Sequence, residues 1–121
     1  MTNLTHNDLK SSLAGRRLAA SKIFGFTKEA LKDSDCKIRI HAYRFFGFPK
    51  EMLQDDDPLV RLVAYKFFGV TEDAIKDEFW EIRMMGYQVF GFTKEALEDK
   101  EMTIRLLAKE YFDTLDYYSN I

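Results

Sequence analysis

The chain has 121 residues, of which 46% are hydrophobic and 31% charged, and its net charge is −2. This length and composition are typical of a single domain. No apolar run approaches the roughly 20 residues that cross a bilayer, and the N-terminus lacks the basic and apolar segments of a secretory signal. We therefore expect a cytoplasmic protein that does not contact membranes. The single cysteine, Cys36, excludes an internal disulfide and any cysteine-based metal cluster.

One unit recurs along most of the sequence with a period of 22 residues. The period is marked by glycines that each follow a phenylalanine: Gly25, Gly47, Gly69 and Gly91. Repeats of about 20–50 residues are typical of solenoids. The alignment predicts a single domain, 1–121, with an N-terminal cap (1–15), regular repeats (16–98) and a degenerate C-terminal capping repeat (99–121).

The predicted elements begin before the first repeat. Thr5 has the residue type of a helix N-cap, with Asp8 three residues later, and predicts an extra helix that extends to about Ala14. In the last copy Asp113 replaces the glycine, so the helix that begins near Met102 is expected to continue toward Tyr117.

Residues 55–76 show the elements within one repeat. Asp57 and Pro58 are typical of a helix start, and Gly69 is typical of a helix end. Thr71 is expected to cap a second, shorter helix, which can be α or 3₁₀. The predicted fold class is therefore all-α, a short solenoid of about five helical hairpins, each with one long and one short helix.

Apolar residues recur at fixed positions of the repeat. One position is always small (Ala20, Ala42, Ala64, Gly86 and Ala108), and two positions near the helix end are apolar in every copy (Phe24, Phe46, Phe68, Phe90 and Phe112; Ile23, Phe45, Phe67, Val89 and Tyr111). We expect all three sets in the core, because a single hairpin cannot bury them and stacking can. A fourth set is either covered by neighbouring repeats or exposed as a protein-binding stripe: Leu18, Ile40, Leu62, Met84 and Leu106.

The segment Asp55–Ala64, followed by the sequence Glu-Asp-Ala-Ile, resembles the leucine-rich variant repeat and, more broadly, the HEAT-like helical repeats. The resemblance covers about residues 16–112. It implies a right-handed superhelix in which α-helices alternate with 3₁₀ helices, and a binding scaffold without a specified ligand. The period is shorter here, aromatic residues replace many leucines, and the cysteine cluster of some family members is missing, so no cofactor is expected.

Arginine and aspartate also recur once per repeat. One interpretation is a row of guanidinium groups that bind phosphates. The favoured interpretation is a structural network that fastens each turn to its own helix and to the next repeat, because the arginine always neighbours an apolar anchor and its fork suits a carboxylate. The predicted network is Asp33, Arg39, Asp55, Arg61, Asp77, Arg83, Asp99 and Arg105, with Arg17 as the first arginine of the column.

Another position of the repeat should face solvent, and the charge of its residue changes from positive to negative along the chain: Lys22, Arg44, Lys66, Gln88 and Glu110. Tyrosines precede three of its members. Tyrosine and arginine are frequent in binding hot spots, so the candidate binding residues are Tyr43, Arg44, Tyr65, Lys66 and Tyr87. The alternative is an ordinary solvated face, with the tyrosines packed between repeats.

These patterns favour a non-catalytic protein–protein interaction scaffold. His6 and His41 are far apart in sequence and neither has cysteine or carboxylates at the spacing of a metal site, and Cys36 shares its repeat position with Pro58, Trp80 and Met102, so neither a metal site nor an enzyme is expected. Three alternatives stay open. Residues 1–50 carry a net charge of +6 and residues 51–121 one of −8, which favours nucleic-acid binding by the N-terminal half or head-to-tail self-association. A small inhibitor encoded by a phage or another mobile element is the third.

Overall fold

A computed structural model describes residues 3–120, and this part of the chain is all-α, with no strand. Five 3₁₀ helices alternate with five α-helices. The 3₁₀ helices are η1 (His6–Lys10), η2 (Lys28–Lys32), η3 (Lys50–Gln54), η4 (Glu72–Lys76) and η5 (Lys94–Glu98). The α-helices are α1 (Ala14–Phe24), α2 (Cys36–Phe46), α3 (Pro58–Phe68), α4 (Trp80–Phe90) and α5 (Met102–Ser119). This alternation at constant spacing is the pattern of a short helical-repeat solenoid and confirms the predicted fold class.

The chain forms two compact units. The first unit ends at Phe68 and contains η1 to α3, and the second begins at Gly69 and contains η4 to α5. Each α-helix packs against the 3₁₀ helix that precedes it, and within the first unit α2 also packs against α1 and α3.

Capping residues set limits of α2 and α3. The Asp57 carboxylate accepts a hydrogen bond from the backbone N–H of Leu59 (2.8 Å), just after Pro58 has begun α3. Gly47, which follows α2, has φ 96° and ψ 134°, a conformation that side-chain-bearing residues rarely adopt. Thr71 precedes η4 as predicted, but its hydroxyl makes no capping hydrogen bond.

The two ends depart from the regular repeat. The N-terminal helix begins after Thr5 as predicted, but the predicted extension to Ala14 is wrong, because η1 ends at Lys10 and Ala14 already belongs to α1. Asp8 of η1 accepts hydrogen bonds from the Thr5 backbone N–H (2.8 Å) and from Nε of Arg16 (2.9 Å). At the other end, α5 continues past Asp113 as predicted.

The core repeats with the sequence. The apolar anchors of the long helices are at most 2% exposed, namely Ile38, Val60, Ile82 and Ile104, and the alanines of the small-residue column are fully buried. Gly86 belongs to the same column, and a Cβ placed on it would lie 2.8 Å from Cγ1 of Ile75. This position therefore allows the close approach of α4 and η4.

The column that the sequence left open is largely covered. Leu18 packs against the cluster of Ala30, Ile38 and Ala42, and Ile40 packs against the corresponding cluster of the next repeat. Met84 is 8% exposed. In the last repeat, Leu106 is 59% exposed.

One predicted core column is instead exposed. The exposed fractions are 64% for Ile23, 58% for Phe45, 59% for Phe67, 59% for Val89 and 36% for Tyr111. The neighbouring phenylalanine column is only partly covered: Phe46 is 41% exposed and Phe90 is 46% exposed. In α1 to α4 both columns lie in the last turn of the helix. Angular position on a helix decides burial only where the neighbouring elements also extend to that turn, and here they leave the last turn open.

Candidate binding surface at the ends of the long helices

The structure separates the five predicted binding residues. Tyr65 is 6% exposed and Tyr87 is 4% exposed, and Tyr43 packs against the buried cluster that contains Met52. The side chains of Tyr65 and Tyr87 therefore face the interior, whereas Tyr43 is half-buried. Arg44 and Lys66 are exposed, and their binding role stays a prediction.

The arginine and aspartate columns form a network between consecutive repeats. Arg39 donates from Nε and Nη2 to the Asp55 carboxylate (3.1 and 2.9 Å) and from Nη1 to the backbone carbonyl of Asp33 (2.6 Å). The same carboxylate accepts the backbone N–H of Asp57 (2.9 Å). A single guanidinium thus fastens the turn of its own repeat to the turn of the next one.

Equivalent contacts recur elsewhere in the chain. Bidentate pairs join Arg17 to Asp33 and Arg83 to Asp99, with distances of 2.8–3.0 Å. Further contacts to backbone carbonyls are made by Arg61 and Arg105, and Asp77 accepts the N–H of Phe79. Because the guanidinium donors already contact protein oxygens, these contacts favour the structural interpretation of the column over phosphate binding.

The accessible candidate surface lies at the C-terminal ends of α1, α2 and α3. Three apolar side chains, Ile23, Phe45 and Phe67, are 58–64% exposed, and each directly follows an exposed cation. We call these six residues the basic–apolar ridge: Lys22, Ile23, Arg44, Phe45, Lys66 and Phe67. Exposed apolar side chains grouped with charge are typical of interaction sites.

Two aromatic residues of the connecting loops pack against the aromatic side chains of the ridge. The ring centroid of Phe26 lies 5.5 Å from that of Phe45, and the centroid of Phe48 lies 4.6 Å from that of Phe67. Phe26 also stacks on His41, whose pKa is lowered by burial and by the nearby charges of Lys22 and Arg44. Such contacts restrict the exposed rings, and a surface with restricted side chains loses less conformational entropy when it binds a partner.

The second unit carries the same ridge position without the positive charge. Val89 follows Gln88 and Tyr111 follows Glu110, and both apolar residues are exposed. An exposed apolar residue at this position therefore recurs in both units, whereas only in the first unit does a cation precede it.

The sequence contains one indication that the apolar position of the ridge is exposed: its side chains differ in size from copy to copy. The exposed column varies from Val89 to Phe67, whereas the buried anchor position holds only isoleucine or valine in the last four of the five copies. A close-packed core tolerates such volume changes poorly. This difference could have distinguished the exposed column from the buried one.

The described residues give little support for a metal site, a reactive cysteine or a membrane span. Among residues 3–120, no group of three or more His, Cys, Asp and Glu side chains is arranged to hold a metal ion. Burial raises the pKa of the Cys36 thiol, which opposes thiolate formation. Within the same range, no helix combines the length and apolar character of a membrane span.

Comparison of this chain with protein-family models, with characterised proteins and with solved structures yields no match. The resemblance to leucine-rich variant and HEAT-like repeats therefore stays a prediction.

Proposed function

We propose that this protein is a non-catalytic scaffold that binds an acidic segment of another protein through the basic–apolar ridge. The observation that carries the proposal is the recurrence, in three consecutive repeats, of an exposed apolar side chain next to an exposed cation. Apolar side chains would supply affinity, and the cations would select and steer an acidic partner. The resemblance to helical-repeat scaffolds agrees with this role.

Single-stranded nucleic acid is the second candidate ligand. Exposed Phe45 and Phe67 could stack on bases, and the neighbouring Arg44 and Lys66 could contact phosphates. The protein candidate is favoured because the chain has a net charge of −2 and because Ile23, the third apolar member, offers no ring for stacking.

The test compares capture of partners from the source cell by three forms of the protein. These are the wild type, the double variant Phe45→Ala/Phe67→Ala, and the control Val89→Ala, which removes an equally exposed side chain from the uncharged part of the column. We expect a protein that is retained by the wild type and the control and lost with the double variant. Equal retention by all three forms would place the binding surface elsewhere, and recovery of nucleic acid would support the second candidate.

A further inference from the structure

The ridge has a spacing that restricts the conformation of its ligand. Helices that pack side by side lie about 8–10 Å apart, and α2 packs against both α1 and α3. Ile23, Phe45 and Phe67 occupy equivalent positions on these three helices. Successive apolar sites are therefore separated by about one interhelical distance.

A polyproline II segment matches this spacing. It has three residues per turn and a rise of about 3.1 Å per residue, so side chains at i, i+3 and i+6 share one face at intervals of about 9 Å. A β-strand matches less well, because its side chains alternate between faces and residues three apart point in opposite directions.

The charges of the ridge and the aromatic side chains around it agree with such a ligand. Two of every three positions in the segment would be free to carry carboxylates, and each repeat of the ridge presents one exposed cation: Lys22, Arg44 or Lys66. The half-buried rings of Phe26 and Phe48 pack against Phe45 and Phe67 and add aromatic surface beside them. Aromatic side chains line the surfaces that bind polyproline II segments.

We propose, building on the proposed function, that the ridge binds an extended, acidic protein segment in polyproline II conformation, with an apolar residue at every third position. Each apolar side chain of the segment contacts one repeat of the first unit, and the intervening carboxylates pair with the cation of that repeat. Specificity then depends on the spacing of the ligand as well as on its composition.

Synthetic peptides test this spacing directly. The first has Leu at every third position and Glu or Pro elsewhere, the second has the same composition in scrambled order, and the third has Leu at every seventh position, which an α-helix would present at a similar interval. Binding is measured by fluorescence anisotropy with the wild type, with Phe45→Ala/Phe67→Ala and with Val89→Ala. A labelled single strand of oligothymidine serves as the nucleic-acid probe.

We expect the first peptide to bind about tenfold or more tightly than the other two, and the double variant to weaken its binding by roughly thirtyfold, as for the loss of a hot-spot residue. The Val89→Ala control should bind like the wild type.

Equal binding of the first and scrambled peptides, with weakening of both by the double variant, would overturn the spacing and leave the proposed function intact. Preference for the seven-residue spacing would overturn the polyproline II conformation. Binding of oligothymidine alone, or of no probe, would overturn this inference, and the capture experiment then decides the proposed function separately.

Discussion

At the scale of single residues, the arginine of each repeat joins parts of the chain that are far apart in sequence. The side chains of Arg39 and Asp55 are only 14% and 8% exposed, so they are largely removed from water. A charge in such a place stays favourable only while its partner is present. We therefore expect the loss of one partner to be costly.

Replacement of Arg39 by Gln tests this role. The substitution leaves the Asp55 carboxylate with the Asp57 N–H but without the bidentate pair, and we expect the free energy of unfolding to fall by roughly 2–3 kcal/mol. The measurement is urea denaturation followed by circular dichroism. Lys109→Gln is the control, because its pair with Asp113 is 70% and 62% exposed and should not contribute measurably. Similar effects of the two variants would contradict the role of the Arg39 network.

The aspartates of the network make stability depend on pH. The hydrogen bonds from Arg83 hold the pKa of Asp99 below its usual value of 3.8, and Arg17 does the same for Asp33. Because these carboxyls bind protons less readily in the folded state, they contribute stability above pH 3.8. This contribution is lost as the pH falls below that value toward the lowered pKa. We expect the urea midpoint to decrease steeply below about pH 4, and the decrease to be smaller for Arg83→Gln, measured by denaturation across the range pH 2–7. Equal pH dependence in that variant would show that other groups are responsible.

Adjacent residues also show where prediction from the sequence succeeds and where it fails. The helical period correctly placed Val60 and Ala64 in the core, because both face the same side of α3 and lie before its last turn. It misplaced Phe67, which is 59% exposed, and Tyr65, which is 6% exposed. Periodicity describes one buried face, whereas a helix in a stack contacts elements on more than one side and over only part of its length. The ridge could therefore not be predicted from the helical period alone.

At the scale of elements, the repeat depends on sharp ends to its long helices. The glycine at each regular end has φ between 93° and 99°. The sequence predicted these ends correctly, because the requirement is local: few residues besides glycine adopt this conformation at low cost. The same local character explains why α5, which lacks the glycine, continues to Ser119.

Two glycine-to-alanine substitutions should have opposite effects. For Gly47→Ala we expect a loss of about 1–3 kcal/mol, because a Cβ would meet no atom within 4 Å but the backbone has φ 96°. For Gly15→Ala we expect a smaller gain, up to about 0.5 kcal/mol, because this glycine lies in the first turn of α1 and a Cβ there also meets no atom within 4 Å. Thermal denaturation of both variants provides the comparison. Destabilisation by both would indicate that features other than backbone conformation dominate.

At the scale of the whole molecule, charge and the chemistry of the two ends determine how copies of the chain can associate. Residues 1–50 are net positive and residues 51–121 net negative, which favours head-to-tail self-association. The interior repeats, however, meet through apolar residues such as Met52 and Val60. In the first copy the equivalent positions hold Asp8 and Arg16, which pair with each other. This polar pair lacks the apolar surface that joins the interior repeats.

Any head-to-tail contact should therefore be electrostatic and sensitive to salt. We expect light scattering to show a monomer at 0.15 M salt, where charges are screened over about 8 Å, and association only at low ionic strength and high protein concentration. Leu106 of α5 provides the control, because its side chain is 59% exposed and occupies a position that is covered in earlier repeats. Association that persists at 0.15 M salt and is abolished by Leu106→Glu would show that copies associate through this apolar face, since hydrophobic contacts are not screened by salt. A monomer under every condition would rule out self-association and leave the charge asymmetry to act only on other partners.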